Sequence, residues 1–349
     1  MSELLKVDKL SVRYSAGGGL LGKRSSRLAV REVSFGIEAA ETFGLVGESG
    51  SGKSTTGRAI LRLVEPETGC ITFDGQDVTG FGRRVPRWYR QAVQVVFQNP
   101  TSALNPSLTV RELLAEPLRM HRQLSGELAQ RPIIDELLEQ VGLANYHRDR
   151  YPWELSGGQR QRVAIARALA VNPKLVLCDE PVSALDVSTQ SQVINLLQDL
   201  QASLGVSYLF IAHDLSVVRH ISHQVGVMYD GRLLETGPAE RVYSAPAHPY
   251  TQTLLAAIPV PDPVRQRQHR ALRRALRSQT PPATVTSDGV GCPFRTRCPY
   301  VMEICHTTMP EASSVNGGGS VSCHLQSSGP ELRGESLPVD SELAIGGIL

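Results

Sequence analysis

Short runs of apolar and alternating residues dominate much of this chain, and they predict strands. Two of these runs, LLKVDKLSVRY (residues 4–14) and LAVREVSFGIEAAETFGLVG (28–47), are rich in β-branched side chains. From about residue 99 to 171 the apolar period becomes helical, as in SLTVRELLAEPLRM and IIDELLEQVGL. This alternation of strands and helices predicts an α/β fold with a mostly parallel sheet.

The alternation of predicted strands and helices continues beyond this helical region. KLVLCDEP (174–181) has the composition of a short buried strand, and QSQVINLLQDLQASLG (190–205) that of an amphipathic helix ending at a glycine. VSYLFIAHD and QVGVMYDGRLLETG return to strand patterns. After about residue 259 the pattern gives way to Pro- and Arg-rich sequence. The chain has no internal repeat, so we expect one such α/β module and not two.

Composition narrows the range of partners. A hydrophobic content of 41% and a charged content of 20% are ordinary for a globular protein, and a net charge of +2 gives no argument for nucleic acid. The sequence lacks a secretory leader and any apolar run of about 18 residues, so we expect a cytosolic chain in which disulfides are disfavoured.

A glycine-rich stretch, GLVGESGSGKSTTGRAIL (44–61), lies between a predicted strand and a predicted helix. It has the Gly-x4-Gly-Lys-Ser spacing of a phosphate-binding loop, in which backbone N–H groups surround phosphate oxygens. Lys53 would neutralise the β- and γ-phosphates, and the Ser54 hydroxyl would bind Mg²⁺. The predicted phosphate-site residues are Gly47, Glu48, Ser49, Gly50, Ser51, Gly52, Lys53, Ser54 and Thr55.

Two adjacent carboxylates end the predicted strand in LVLCDEP. Neighbouring side chains on a strand point in opposite directions, so Asp179 and Glu180 would do different work. We predict that Asp179 helps to hold Mg²⁺ and that Glu180 polarises the water attacking the γ-phosphate. Cys178, beside them, is expected to be a packed small side chain.

A second possible anion site lies at the start of LSGGQRQRVAIARALA (155–170). Ser156 is a good N-cap, and Gly157 and Gly158 would let a phosphate approach the helix closely. The simplest use for a second site is to contact a nucleotide held by another copy or a partner. Taken alone, these residues fit an ordinary capped helix equally well.

Three further candidates are ambiguous when taken singly. His213 and Gln98 each follow a predicted strand, where exposed polar residues are common, and a lone Tyr14 is more often part of a core. In the company of the other motifs, His213 would contact the γ-phosphate. Gln98 would reach the metal or the attacking water, and Tyr14 would offer its ring to adenine.

Together these motifs resemble the ATP-binding subunit of an ABC transporter, over roughly residues 3 to 255. The family's order is kept by Walker A (GESGSGKST), the Q-loop at Gln98, the signature LSGGQ ending at Gln159, Walker B (LVLCDE), the D-loop SALD and the switch histidine His213. The resemblance implies a hydrolysis-competent subunit with ATP and Mg²⁺ as cofactors. It also implies a dimer in which the Walker A side of one subunit faces the signature helix of the other, and it puts Tyr14 at the adenine-stacking position.

The resemblance further implies a domain plan. Residues 1–255 would form a P-loop nucleotide-binding domain with a mostly parallel core sheet, an antiparallel β subdomain and an α-helical subdomain at about 99–171. Residues 256–349 would form a small Cys-rich extension with a four-cysteine cluster at 292–323. Its Arg-rich linker at 264–277 departs from the family's usual linker, which is rich in Gly, Glu, Pro and Ser. The linker has six arginines and no acid. We expect a solvated segment there, with anionic lipid binding as the alternative.

A narrower resemblance lies in FQNPTSALNP (97–106), EPVSALDVSTQSQVINLLQDLQ (180–201) and HPYTQTLLAAIP (248–259). These stretches look like the dipeptide, oligopeptide and nickel import branch. That branch implies two integral membrane permeases, a second ABC ATPase as heterodimer partner, and a substrate-binding protein. The insertion SAGGGLLGKRSSR is similar to that of the second, F-type ATPase. The resemblance implies peripheral attachment at the cytoplasmic face of the plasma (inner) membrane.

Four of the six cysteines follow residue 290, with the spacing Cys292-x5-Cys298-x6-Cys305 and then Cys323. From spacing alone, zinc, iron–sulfur and unligated thiols rank equally, and His306 and His324 keep a mixed zinc site possible. Some peptide-importer ATPases hold a [4Fe–4S] cluster on such a quartet. The resemblance therefore favours that cluster as a structural staple, with zinc as the alternative.

Two other classes of function compete with a transport ATPase. One is an ABC ATPase acting on nucleic acid or ribosomes, which usually has two fused cassettes or a long coiled-coil insertion. The other is a metal- or redox-regulated ATPase switch that uses the tail cysteines as its input. The single cassette and the near-neutral charge favour the transport ATPase, without a nucleic-acid partner.

Overall fold

The computed structural model describes residues 3–15, 26–82, 84–122, 124, 126–258, 267 and 290–327. The strands are β1 (Glu3–Ser15), β2 (Ser26–Glu38), β3 (Thr42–Val46), β4 (Thr68–Phe73), β5 (Gln76–Asp77), β6 (Val93–Val96), β7 (Leu175–Asp179), β8 (Ser207–Ala212), β9 (Gln224–Tyr229), β10 (Arg232–Pro238), β11 (Ala312–Ser314) and β12 (Ser320–Ser322).

The helices are α1 (Lys53–Ile60), α2 (Arg87–Ala92), α3 (Pro100–Ala103), α4 (Val110–His121), α5 (Glu127–Gln140), α6 (Gly157–Leu169), α7 (Val187–Leu204), α8 (Leu215–Ile221), α9 (Ala239–Ser244), α10 (Pro249–Ala256), α11 (Ile304–Thr307) and α12 (His324–Ser327). Two 3₁₀ turns lie at Asn145–Asp149 and Pro152–Glu154. The predicted Arg-rich linker, apart from residue 267, and most of the insertion after Tyr14 lie outside the described residues. In the ranges given above, the structure has no helix of sufficient length and apolarity to cross a membrane.

The chain folds into two compact units, and each is built from several chain segments. The first unit comprises Met1–Val12, Phe35–Phe43 and Ser54–Ala212. The second unit comprises Arg13–Ser34, Gly44–Lys53 and His213–Leu349.

Parallel strands form the core of the first unit. β7 lies between β6 and β8 and pairs parallel with both, Val96 opposite Cys178 and Leu175 opposite Ser207. The first four residues of β7 and all of β8 are buried, which explains why both read as continuous apolar runs. The parallel arrangement predicted from the sequence is confirmed for these strands.

An antiparallel group of strands lies in the same unit. β4 pairs with β1, Leu5 opposite Phe73, and β5 pairs with β4. The Phe73 ring packs edge-on against the Tyr89 ring of α2, and both side chains are almost fully buried. This packing anchors the predicted antiparallel β layer to a helix.

The predicted helical region contains α3 to α6. At the start of α4, the Thr109 hydroxyl accepts a hydrogen bond from the Glu112 N–H, and the Glu112 carboxylate accepts one from the Thr109 N–H at 2.7 Å. This reciprocal capping box satisfies two N–H groups that the first helical turn would otherwise leave unpaired. Beyond this region, α7 ends at Gly205, whose φ of 66° is the left-handed conformation expected at a helix C-terminus.

In the second unit, the cysteine-rich segment (residues 290–327) joins the sheet formed by β9 and β10. β10 pairs antiparallel with β9 and also with β12, which places Glu235 opposite Val321. β11 pairs with β12 to complete this group. A small apolar cluster of Ala247, Val315, Val321, Cys323 and Leu325 fills the space beside these strands. The segment therefore folds against β10, because its own apolar content is small.

The capping box of α4 gives a test of the fold. We expect Thr109→Ala to lower the free energy of unfolding by about 1 kcal/mol, because the Glu112 N–H loses its acceptor. Chemical denaturation would measure the change. Ser107→Ala, at an exposed position just before the cap, is the matched control and should leave stability within about 0.5 kcal/mol of the parent. Equal effects of the two substitutions would contradict the assignment of the cap.

Candidate functional site

The phosphate loop, residues 47–53, lies in the second unit, and its path requires glycine. Gly47 has a φ of 152°, and a Cβ there would lie 2.1 Å from the Met228 carbonyl oxygen. The Gly231 N–H donates to the Ser51 carbonyl at 2.8 Å. The turn between β9 and β10 therefore supports the loop closely, and a larger residue at Gly47 would push the two backbones apart.

Lys53 lies within this loop as a buried cation. Its side chain is 4% exposed, and its ammonium donates to the carbonyl oxygens of Gly47 at 2.7 Å and Glu48 at 2.9 Å. Carbonyl dipoles stabilise an ammonium less than an anion does. The loop therefore presents a desolvated positive charge suited to a phosphate group.

The first unit carries two side-chain pairs where β7 ends. The Ser54 hydroxyl donates to Asp179 Oδ1 at 2.8 Å, and the Gln98 amide donates to Glu180 Oε2 at 2.8 Å. Glu180 has a φ of 50°, so the backbone leaves the strand in a left-handed conformation. In these two hydrogen bonds the adjacent carboxylates have different partners.

Ser54 and Asp179 suit a magnesium ion. A hydroxyl and a carboxylate oxygen are hard ligands, and Mg²⁺ usually takes only one or two such groups from a protein and completes its shell with water and phosphate oxygens. Behind Asp179 the Cys178 side chain is fully buried, and burial raises the pKa of its thiol. Cys178 is therefore a packed side chain, as its position in the strand predicted.

The signature residues begin α6 in the first unit. The Ser156 hydroxyl accepts from the Gln159 N–H at 3.2 Å, and the Gln159 side chain accepts from the Ser156 N–H at 2.9 Å. A Cβ on Gly158 would lie 2.6 Å from Thr189 Cγ2. Close packing on the start of α7 is therefore one reason for glycine here, independent of any phosphate.

Tyr14 and His213 belong to the second unit, and both are exposed. Tyr14 lies near the end of β1, with 39% of its surface accessible. His213 follows β8 directly, and the next residue, Asp214, caps α8 by accepting from the Ser216 N–H at 2.8 Å. Both rings are therefore accessible to a ligand.

The sequence did not reveal two residues that hold Glu48 of the phosphate loop. The Glu48 N–H donates to the Tyr250 hydroxyl oxygen at 3.0 Å, and both nitrogens at the end of the Arg297 guanidinium donate to the Glu48 carboxylate at 2.8 Å. The hydrogen bonds from Arg297 hold the pKa of the Glu48 carboxyl below its ordinary value. Tyr250 lies in HPYTQTLLAAIP, a stretch that indicates the family but no role for this tyrosine, and no local pattern singles out Arg297.

A buried acid fixes the backbone that leads to Tyr250. Glu235 on β10 pairs with Arg241 and accepts from the N–H groups of Ala247 at 2.9 Å and His248 at 3.0 Å. Burial raises the pKa of this carboxyl. The pair therefore sets the start of α10, where Pro249 and Tyr250 follow His248.

The four late cysteines line one small cavity of the second unit, and none of them forms a disulfide. Burial raises the pKa of Cys292 to about 11 and that of Cys298 to about 12. Among the residues that the structure describes, no group of three or more His, Cys, Asp or Glu side chains could hold a metal ion. This geometry therefore does not confirm the predicted [4Fe–4S] cluster or its zinc alternative.

Two family models match the chain. The model described as "ABC transporter" matches residues 30–183. The model described as "Oligopeptide/dipeptide transporter, C-terminal region" matches residues 234–305, which include Glu235, Tyr250 and Arg297.

Individual proteins agree with these models. The putative oligopeptide transport ATP-binding protein YkfD of Bacillus subtilis is 45% identical over 92% of this chain and 95% of its own length. The oligopeptide transport ATP-binding protein AppF of the same organism is 46% identical over 93% of this chain and 98% of its own. Among solved structures, the ATP-binding cassette MJ0796, a dimer in a post-hydrolysis state bound to ADP and Pi, superposes with a TM-score of 0.60. Its sequence is 29% identical, over 67% of this chain and 98% of that one.

Proposed function

The chain belongs to the family of ABC transporter ATP-binding proteins, and from that premise we propose that it hydrolyses ATP to drive import of peptides through a membrane complex. The ATPase activity follows from the family. The identity of the cargo rests on the oligopeptide/dipeptide C-terminal region and on relatives named for oligopeptide transport.

The observation that carries the proposal is the pairing at the end of β7. Asp179 bonds Ser54, which directly follows the lysine of the phosphate loop, and Glu180 bonds Gln98. Ser54 and Asp179 would hold Mg²⁺, which neutralises charge on the β- and γ-phosphates when bound, with Gln98 contributing at the metal or the attacking water. Glu180 would accept the proton of the water that attacks the γ-phosphate, and His213 would contact that phosphate.

The same proposal assigns roles to the other predicted site residues. Residues Gly47 to Thr55 would surround the phosphates, and Tyr14 would stack on adenine. The signature residues Ser156 to Gln159 would contact ATP held by a second ABC ATPase, which we propose to be a different chain. The insertion after Tyr14 supports the F-type position for this chain in the pair.

Glu180 gives the first test of this proposal. We expect Glu180→Gln to lower ATP turnover by on the order of 10²- to 10⁴-fold, because an amide cannot accept the proton, while nucleotide affinity stays close to that of the parent. Lys53→Ala should instead weaken nucleotide binding itself. Steady-state phosphate release and calorimetric titration with MgADP separate the two effects.

Glu127→Gln, at an exposed position whose carboxylate pairs with Arg111, is the matched control and should change neither quantity. Substantial residual turnover in Glu180→Gln would refute the assignment of the base.

We propose two integral membrane permeases and a substrate-binding protein as the remaining partners, with this chain attached at the cytoplasmic face of the membrane. The region around Gln98, which opens the helical segment of α3 to α6, would contact the permeases. The nucleotide-binding domain would span residues 1–255 and the C-terminal extension residues 256–349.

Membrane association tests the transport function against a nucleic-acid or ribosome function. We expect the chain to sediment with vesicles only when they contain its permeases, because its attachment would depend on them. Reconstituted vesicles should import peptide with the parent chain and should fail to do so with Glu180→Gln, which still assembles. A chain that stays in the supernatant with permeases present, or that sediments with ribosomes instead, would contradict the transport proposal.

The cysteine quartet remains a candidate for a four-thiolate metal site. The support is that Cys292, Cys298, Cys305 and Cys323 are all buried and all line one cavity. Thiolates of this number hold either a [4Fe–4S] cluster or zinc, and we favour the cluster. A metal there would staple the turns that carry these residues.

Metal analysis after anaerobic purification tests the proposed four-thiolate metal site. We expect about four iron atoms per chain and a visible thiolate-to-iron absorption band, both lost in Cys298→Ser. Cys70→Ser, which removes a free cysteine far along the chain from the quartet, is the control and should keep both signals. Zinc in place of iron would support the alternative, and a chain with neither metal would contradict both.

A further inference from the structure

We propose that Arg297 is a positioning residue for the phosphate loop, because it neutralises and holds the Glu48 carboxylate so that the loop can receive the phosphates of a nucleotide. The inference rests on the proposed ATPase function and assigns part of it to the C-terminal region. The motif residues of the loop do not indicate that the loop depends on Arg297.

Glu48 is held at three points. Its N–H donates to the Tyr250 hydroxyl at 3.0 Å, and its carbonyl oxygen accepts from the Lys53 ammonium at 2.9 Å. Its carboxylate receives two parallel bonds of 2.8 Å from Arg297. Paired bonds of this kind fix direction as well as distance. The second residue of the loop is thus fixed from outside the loop, through both its backbone and its side chain.

Arg297 is itself presented by a packed turn. The turn begins at Cys292 and ends at Cys298, and the Arg297 N–H donates to the Phe294 carbonyl at 2.9 Å. The guanidinium lies 5.7 Å from the centre of the Phe294 ring and 5.8 Å from that of Tyr229, distances at which a cation is attracted to an aromatic face. Phe294 is 1% exposed. The positive charge is therefore held in place by a buried aromatic anchor.

Charge explains why the loop needs this contact. A glutamate carboxyl is ionised at neutral pH with or without a partner, and the Arg297 hydrogen bonds lower the pKa of Glu48 further. An unpaired carboxylate one residue into the loop would repel a triphosphate, and it would also attract the Lys53 ammonium away from its ligand. A repulsion between unit charges several ångströms apart near a protein surface changes an affinity by about tenfold.

Removal of Arg297 tests the proposal on the full-length chain. We expect Arg297→Ala to raise the Kd for MgADP about tenfold at low salt, with KM for ATP rising in parallel and kcat changing much less. The difference from the parent should shrink at about 0.5 M salt, because screening weakens the repulsion. Arg297→Lys, which keeps the charge, should restore most of the affinity.

The double variant Glu48→Gln/Arg297→Ala separates charge from packing. We expect its Kd to be about threefold or more below that of Arg297→Ala, because no carboxylate remains to repel the phosphates. Arg111→Ala, which removes an arginine from an exposed ion pair with Glu127, is the matched control and should leave the Kd unchanged. Thermal unfolding of each variant confirms that it is folded, and Arg297→Gln serves the same test if the alanine variant is not.

An unchanged Kd in Arg297→Ala, or a Kd that is insensitive to salt and not restored by Glu48→Gln, would overturn the role of Arg297. A parent chain that binds no MgADP would instead refute the proposed ATPase function.

Discussion

The tight path of the phosphate loop is the constraint on which the rest of the second unit depends. Gly47, Gly50 and Gly52 all have positive φ, and Lys53 is buried among backbone carbonyls. Such a backbone has few favourable contacts of its own, so its shape has to be supported by neighbours. Gly231 provides a backbone hydrogen bond to Ser51, and Tyr250 and Arg297 hold Glu48. The turn between β9 and β10 and the C-terminal region thus both hold this one loop in its conformation.

The end of β7 is organised by a different constraint in the first unit. A buried parallel strand ends at Asp179 and fixes the direction of that side chain. The left-handed backbone at Glu180 then sends the chain away from the strand, and Gln98 reaches the Glu180 carboxylate from a position 82 residues earlier. Rigid strands therefore give these polar groups the fixed geometry that phosphate chemistry requires.

The cysteine-rich segment supports other elements of the second unit. Its strands extend the sheet at β10, and the buried Glu235 of that strand fixes the start of α10. Two of its cysteines bound the turn that carries Arg297. A change in the packing of that turn would move the Arg297 guanidinium and alter its hydrogen bonds to Glu48. The turn between these two cysteines is therefore in contact with the phosphate loop.

The main strands and helices and the phosphate-loop motif can be predicted from the sequence, because their signals are local. Short apolar runs correctly predicted β7 and β8, a helical pattern correctly predicted α7, and the Gly-x4-Gly-Lys-Ser spacing located the phosphate loop. The sequence did not determine what supports that loop. Arg297 and Glu48 are 249 residues apart, and Tyr250 and Glu48 are 202 apart. Contacts over such separations leave no periodic or spacing signal in the chain. Only the tertiary structure, by packing Phe294 against the β9 and α10 aromatics, decides that this arginine meets this glutamate.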